Sequence, residues 1–147
     1  MSAEPHRAEP YAGVRSDRRK HIGLGAVFLW FLIGGLAHFV ATDAEVKVVP
    51  SYIPSPREVV WATGALELLG AAGLLRRATR RAAGWGLFVL TLAVTPVHVY
   101  MLQQPGLFDI PYWALVLRLP LQAALLALIA WSAELIPTRR PSAREHG

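Results

Sequence analysis

The chain contains no cysteine, and its four long apolar stretches carry almost no charge. The first absence excludes thiol–disulfide chemistry, thiolate metal sites and iron–sulfur clusters carried by this chain alone. It leaves the compartment open, because a chain without thiols is indifferent to redox poise. The second absence excludes an ordinary soluble domain. Of 147 residues, 54% are hydrophobic and 17% charged, and the charges collect between the apolar runs. The length allows one domain. The formal net charge of +5 comes mainly from arginine clusters at the ends of those runs. A nucleic-acid groove would interleave such clusters with aromatics on a folded surface. Here they flank hydrophobic spans, the pattern that retains loops in the cytoplasm. The lipid bilayer is therefore an expected partner, and nucleic acid is not. Arginine far exceeds lysine and alanine is abundant, which points to a bacterial source with a GC-rich genome.

Four runs, at 22–41, 59–75, 83–101 and 112–133, are long enough to cross a membrane. At about 1.5 Å per residue, roughly 20 helical residues span a hydrocarbon core of ~30 Å. The expected fold is all-α, an integral membrane four-helix bundle over 22–136. Polar, aperiodic tails at 1–21 and 137–147 read as disordered. Arg18, Arg19 and Lys20 resemble the basic region of a secretory signal. The apolar run that follows is long for a signal core, however, and no A-x-A site ends it, so it reads as a retained helix.

Basic residues set the orientation. Before the first run lie Arg7, Arg15, Arg18, Arg19 and Lys20; the first loop has Lys47 and Arg57, offset by Asp43, Glu45 and Glu58. The second loop has Arg76, Arg77, Arg80 and Arg81, the third only Asp109, and the last segment Arg139, Arg140 and Arg144. Rich and poor segments alternate throughout, so both termini and the arginine turn are expected in the cytoplasm. Tyr52, Trp61, Tyr100, Tyr112 and Trp113 fall near the outer interface, where an aromatic belt belongs.

Ionisable residues are rare in membrane helices and each invites a functional reading. This chain has His38, Glu67, His98 and Arg118. Given the orientation, both histidines lie about 5 Å inside the outer end, Arg118 about 9 Å and Glu67 about 12 Å. Thr63, Glu67 and Gly70 share a helix face beside Gly64 and Ala71, so Glu67 is expected to face the bundle. Thr91, Thr95 and His98 make a polar stripe on the third run, and Arg118 precedes Gln122 by one turn. Pro96 and Pro120 free the carbonyls of Leu92 and Val116. Glu67 and Arg118 are expected to form a buried ion pair, either a functional centre or a device that fixes helix order. The histidines either line a site or hydrogen-bond loop carbonyls. Haem ligation by the pair, or a metal held with Glu67, has little spacing support, so no metal is expected. The first loop contains Pro50, Pro54 and Pro56, which forbid one continuous helix and suit a short interfacial segment or lid. His38, Glu67, His98 and Arg118 are expected to converge in one outward-opening cavity under this loop. Packing at Gly70 and Gly73 would close it on the cytoplasmic side.

Several pieces, in order, carry a resemblance: G-G-L-A-H-F at Gly34 to Phe39, V-P-S-Y-I-P-S-P at Val49 to Pro56 and T-G-A-L-E-L-L-G-A-A-G-L-L at Thr63 to Leu75. A-V-T-P-V-H-V-Y-M at Ala93 to Met101 and L-R-L-P-L-Q at Leu117 to Gln122 follow. Together they resemble the DoxX-like family of small four-helix membrane proteins. Relatives commonly carry asparagine at the position of His98, which favours a neutral hydrogen-bonding role there. The resemblance implies an association with membrane redox or quinone chemistry. On that basis the chain is expected to be an accessory or quinone-site subunit of a membrane redox system. Quinone would be its cofactor class, and redox proteins or further copies of itself its partners. Its polar core and ligand site would be His38, Glu67, Thr95, His98, Arg118 and Gln122. Two other readings stand beside this one: a small transporter or permeation subunit, and a purely structural assembly factor.

Overall fold

The computed structural model describes residues 11–108 and 110–135, with side chains from residue 17 onward. Among these residues the fold is all-helical. Helix α1 runs Tyr11–Val40, α2 Thr42–Val48, α3 Pro56–Leu74, α4 Arg77–Ala93, α5 Thr95–Gln103 and α6 Tyr112–Ser132; a single 3-10 turn occupies Pro105–Leu107. The first expected tail is partly outside the described residues, but its second half is helical. Extending a helix already nucleated by the apolar run is easy, and arginine, lysine and alanine are good helix formers. Lys20 also anchors this extension by pairing with Glu134, just past α6, at 2.6 Å. The expected tail at 137–147 lies outside the described residues.

Helix α2 replaces a free connector. Asp43 and Glu45 lie in its first turn and Lys47 in its last, each favoured by the helix dipole. Pro50 and Pro54 interrupt the chain, Ser55 adopts a left-handed φ of 51°, and Pro56 opens α3 where a missing N–H costs least. The arginine turn has a local structural role as well. Thr79 Oγ1 donates to the Gly73 carbonyl (2.7 Å) and Arg80 Nε to that of Leu74 (3.2 Å), satisfying carbonyls left open at the end of α3. The third apolar run, expected as one helix, breaks at Val94. Pro96 is the second residue of α5, and its ring can neither donate to nor clear the carbonyl a turn earlier. Pro120, by contrast, lies inside an unbroken α6. Glu134 closes α6 with a φ of 55°, and Leu135 N–H returns to the Ala130 carbonyl at 3.0 Å.

Helix α1 packs on α3 and α6, α3 on α4, and α4 on α6; α2 lies against α3 and α5 against α6. Thus α1 and α4 separate α3 from α6. The main core joins Val27 and Phe31 of α1, Ala71 and Leu74 of α3, Leu87 of α4, and Ile129, Ala133 and Leu135 at the end of α6. Gly35 and Gly64 let α1 and α3 touch backbone to backbone. A Cβ on Gly64 would lie 3.0 Å from the Gly35 oxygen, and one on Gly35 3.1 Å from the Gly64 oxygen. Gly73 makes room for the Ala83 methyl group and Gly70 for the Leu87 side chain, so small-residue packing closes α3 on α4.

Outside this core the surface is apolar. Ile33, Val40, Leu69, Trp113 and Leu117 are all more than half exposed. Among the described residues, three stretches are long and apolar enough to cross a membrane: Asp17–Val40, Arg77–Gln103 and Tyr112–Ser132. Protein buries only 22%, 17% and 17% of their apolar windows, so the remaining surface needs an apolar solvent. Helix α3 is also 19 residues long but carries Arg57, Glu58 and Glu67.

Candidate functional site

The six polar residues of interest fall at two helix contacts rather than one. The first is the contact of α1 with α3. His38 Nε2 lies 3.7 Å from Glu67 Oε1, and both side chains are largely buried. Glycine makes the room: a Cβ on Gly34 would come 2.9 Å from Glu67 Oε2, and one on Gly64 2.7 Å from the His38 Cβ. Glu67 therefore faces the helix interface, but the basic side chain beside it is His38, not the expected Arg118. The reason is helix order, since α1 lies beside α3 whereas Arg118 is on α6 across the assembly. His38 Nδ1 is buried with no hydrogen-bond partner among the described residues.

The second place is the break between α4 and α5. Gln122 of α6 donates through Nε2 to the Thr91 carbonyl (2.7 Å) and to Thr95 Oγ1 (2.6 Å). Its Oε1 pairs with His98 Nδ1. Because an amide oxygen only accepts, His98 carries its hydrogen on Nδ1 in this contact. Both amide donors and the carbonyl of Gln122 are thus engaged, and the side chain is buried. The stripe Thr91, Thr95 and His98 does come together, with Gln122 at its centre. The sequence identified a freed carbonyl one residue away, at Leu92; the carbonyl that Gln122 takes is that of Thr91.

Arg118 lies one turn before Gln122 in the same contact of α5 with α6, close enough for its charge to act on His98. Its Nη1 lies 3.9 Å from the sulfur of Met101, which is itself fully buried. The described residues contain no group of three or more His, Asp or Glu placed to hold a metal. His38, Glu67 and His98 do not form such a set.

Beside the His38–Glu67 pair lies a feature the sequence reading missed. A cavity of about 420 Å³ is lined by Phe39, Val40, Thr42, Asp43, Arg57 and Trp61, with Ala41 and Ala44. Thr42 Oγ1 donates to the His38 carbonyl at 2.7 Å and accepts from Trp61 Nε1 at 3.2 Å, tying the cavity wall to the polar pair. Arg57 binds Asp43 at 2.6 Å and lies 5.9 Å from the centre of the Trp61 ring. The lining therefore mixes apolar, aromatic and ionic groups, with Arg57 and Trp61 side by side. Arg57 and Trp61, four residues apart, share a face of α3; that spacing was the available signal.

The model of the family described as domain of unknown function (DUF8561) matches residues 26–135, nearly all of the helical structure. The chain belongs to this family. No curated protein and no solved structure matches it. Within this DUF8561 member, both the His38–Glu67 pair and the Gln122 cluster lie inside the matched region, and so does the cavity.

Proposed function

We propose that this DUF8561 protein is a DoxX-like integral membrane protein that holds a quinone, as an accessory or quinone-site subunit of a membrane redox system. In this reading four segments cross the bilayer: α1, α3, α4 with α5, and α6. Helix α3 crosses despite its charges because Arg57 and Glu58 lie at its first turn, at the membrane surface, and Glu67 faces His38 rather than lipid. Both termini and the arginine turn are cytoplasmic, by the distribution of basic residues. The membrane is the cytoplasmic membrane of a bacterium.

The observation that carries the ligand reading is the cavity between α1, α2 and α3. Its volume lies in the range of small-molecule sites, and it combines an apolar wall with a few polar groups. A quinone ring would lie against Trp61, with a carbonyl accepting from Arg57 and the tail running along Phe39 and Val40 into lipid. Extraction of the protein from native membrane, followed by mass spectrometry of bound small molecules, tests this. The account expects quinone in the wild type and its loss in Trp61→Ala. Wild-type protein free of quinone would contradict it.

A structural assembly role has one observation in its favour. Gln122, His98, Thr95 and the Thr91 carbonyl satisfy one another, which is how a packing cluster behaves. Co-purification of a redox partner protein with Trp61→Ala as efficiently as with wild type would favour that role over ligand binding.

A further inference from the structure

At the opposite end of the molecule from α2 is a second cavity, of about 80 Å³, lined by Asp17, Lys20, His21, Leu24, Arg80, Ser132 and Glu134. A buried water occupies roughly 10–15 Å³ by this kind of measure. The space is therefore larger than a packing void and sufficient for the oxygens of one phosphate group. Its wall contains a hydroxyl in an unusual state. Ser132 is 4% exposed, and its Oγ has no hydrogen-bond partner among the described residues. A helical hydroxyl has an easy alternative, the carbonyl four residues earlier. Thr42, Thr63 and Thr91 all take it, donating to His38, Val59 and Leu87. Ser132 could donate to Leu128 in the same way and does not. A buried hydroxyl left unsatisfied is costly, so Ser132 calls for a partner from outside the described residues.

Charge indicates what that is. Lys20 and Arg80 reach the cavity, and both retain donors. Lys20 uses one contact on Glu134, and Arg80 uses Nε on the Leu74 carbonyl. The carboxylates Asp17 and Glu134 balance these two cations locally. Arg18, Arg19, Arg76, Arg77 and Arg81, all exposed beside the lining residues in sequence, make the surroundings strongly positive. Basic pockets between membrane helices on the cytoplasmic side suit phosphorylated lipid headgroups.

We propose that this cavity binds one phosphate group, with Ser132 Oγ, Lys20 Nζ and the Arg80 guanidinium as donors. The inference rests on the membrane reading above, which places this end at the inner leaflet. The phosphate comes from a phospholipid headgroup or from free phosphate, and the two sources are separable.

The full-length protein is purified in detergent, stripped of lipid, and titrated in native mass spectrometry. The probes are phosphatidylglycerol, an uncharged galactolipid and inorganic phosphate. Wild type is expected to retain phosphatidylglycerol and to discriminate against the galactolipid. Ser132→Ala removes a costly hydroxyl with no partner, so the lipid-stripped protein should unfold at the same or a higher temperature, while retention falls about tenfold, the value of a hydrogen bond to a charged group. Ser132→Val, which fills the space, should abolish it. Binding of inorganic phosphate alone, with the same dependence on Ser132, supports the site with the free ion as its ligand. Equal retention by wild type and both variants overturns the proposal. A chain that is soluble without detergent would instead remove the membrane reading on which it rests.

Discussion

Gln122 on α6 donates to the backbone carbonyl of Thr91 on α4 at 2.7 Å, within one turn of the break at Val94. In a membrane a carbonyl released at a helix break has no water to turn to. One side chain here supplies that partner, and its remaining groups secure Thr95 and His98 on the far side of the break. The kinked segment is thereby joined to α6.

Replacing this residue should be costly in a specific way. Gln122→Leu leaves the Thr91 carbonyl, the Thr95 hydroxyl and His98 without their partner. A loss of about 1–3 kcal/mol is expected in reversible detergent unfolding. Thr91→Val removes only a hydroxyl that bonds within its own helix, to the Leu87 carbonyl, and should cost clearly less than Gln122→Leu. Equal losses in the two variants would mean that the bridge to the carbonyl contributes nothing.

The partner of Glu67 can be tested by coupling. In a double-mutant cycle, Glu67→Gln and His38→Gln should interact by about 0.5–3 kcal/mol, as contacting residues do. Glu67→Gln and Arg118→Leu, on helices separated by α1 and α4, should add to within about 0.5 kcal/mol. The reverse pattern would restore the Glu67–Arg118 pair.

Helix contact at glycine makes a third prediction. Gly64→Ala places a methyl group 2.7 Å from His38 Cβ and 3.0 Å from a backbone oxygen. The two helices must separate, at a cost of about 1–3 kcal/mol. Gly86→Ala meets nothing within 4 Å and should be neutral or stabilising by up to about 1 kcal/mol through helix propensity. Thermal unfolding of the two variants in the same detergent decides this.

The sequence made the helices legible because apolar length is a strong signal. It did not reveal which helices touch. Depth pairs Glu67 with Arg118, but depth follows from one helix at a time; the order of helices around the core is a separate fact. The prolines show a similar limit. Pro96 and Pro120 look alike in sequence, yet only Pro96 accompanies a break, and there Gln122 supplies a partner from another helix. The cavity at Trp61 and the unsatisfied Ser132 were not legible for the same reason. Each depends on where α2 and the end of α6 fold back, and neither turn has a periodic signal.

The account as a whole rests on four crossings, including α3 with its three charged residues, and this is directly measurable. The chain has no cysteine, so single cysteines report without background. Ala78 lies in the arginine turn, Ser51 between α2 and α3, and Gln103 at the end of α5; all three are exposed. In intact cells, a membrane-impermeant thiol reagent should label Ser51→Cys and Gln103→Cys but leave Ala78→Cys unmodified until the membrane is opened. Labelling of position 78 from outside, or protection of position 51 together with 78, would contradict the four-crossing arrangement.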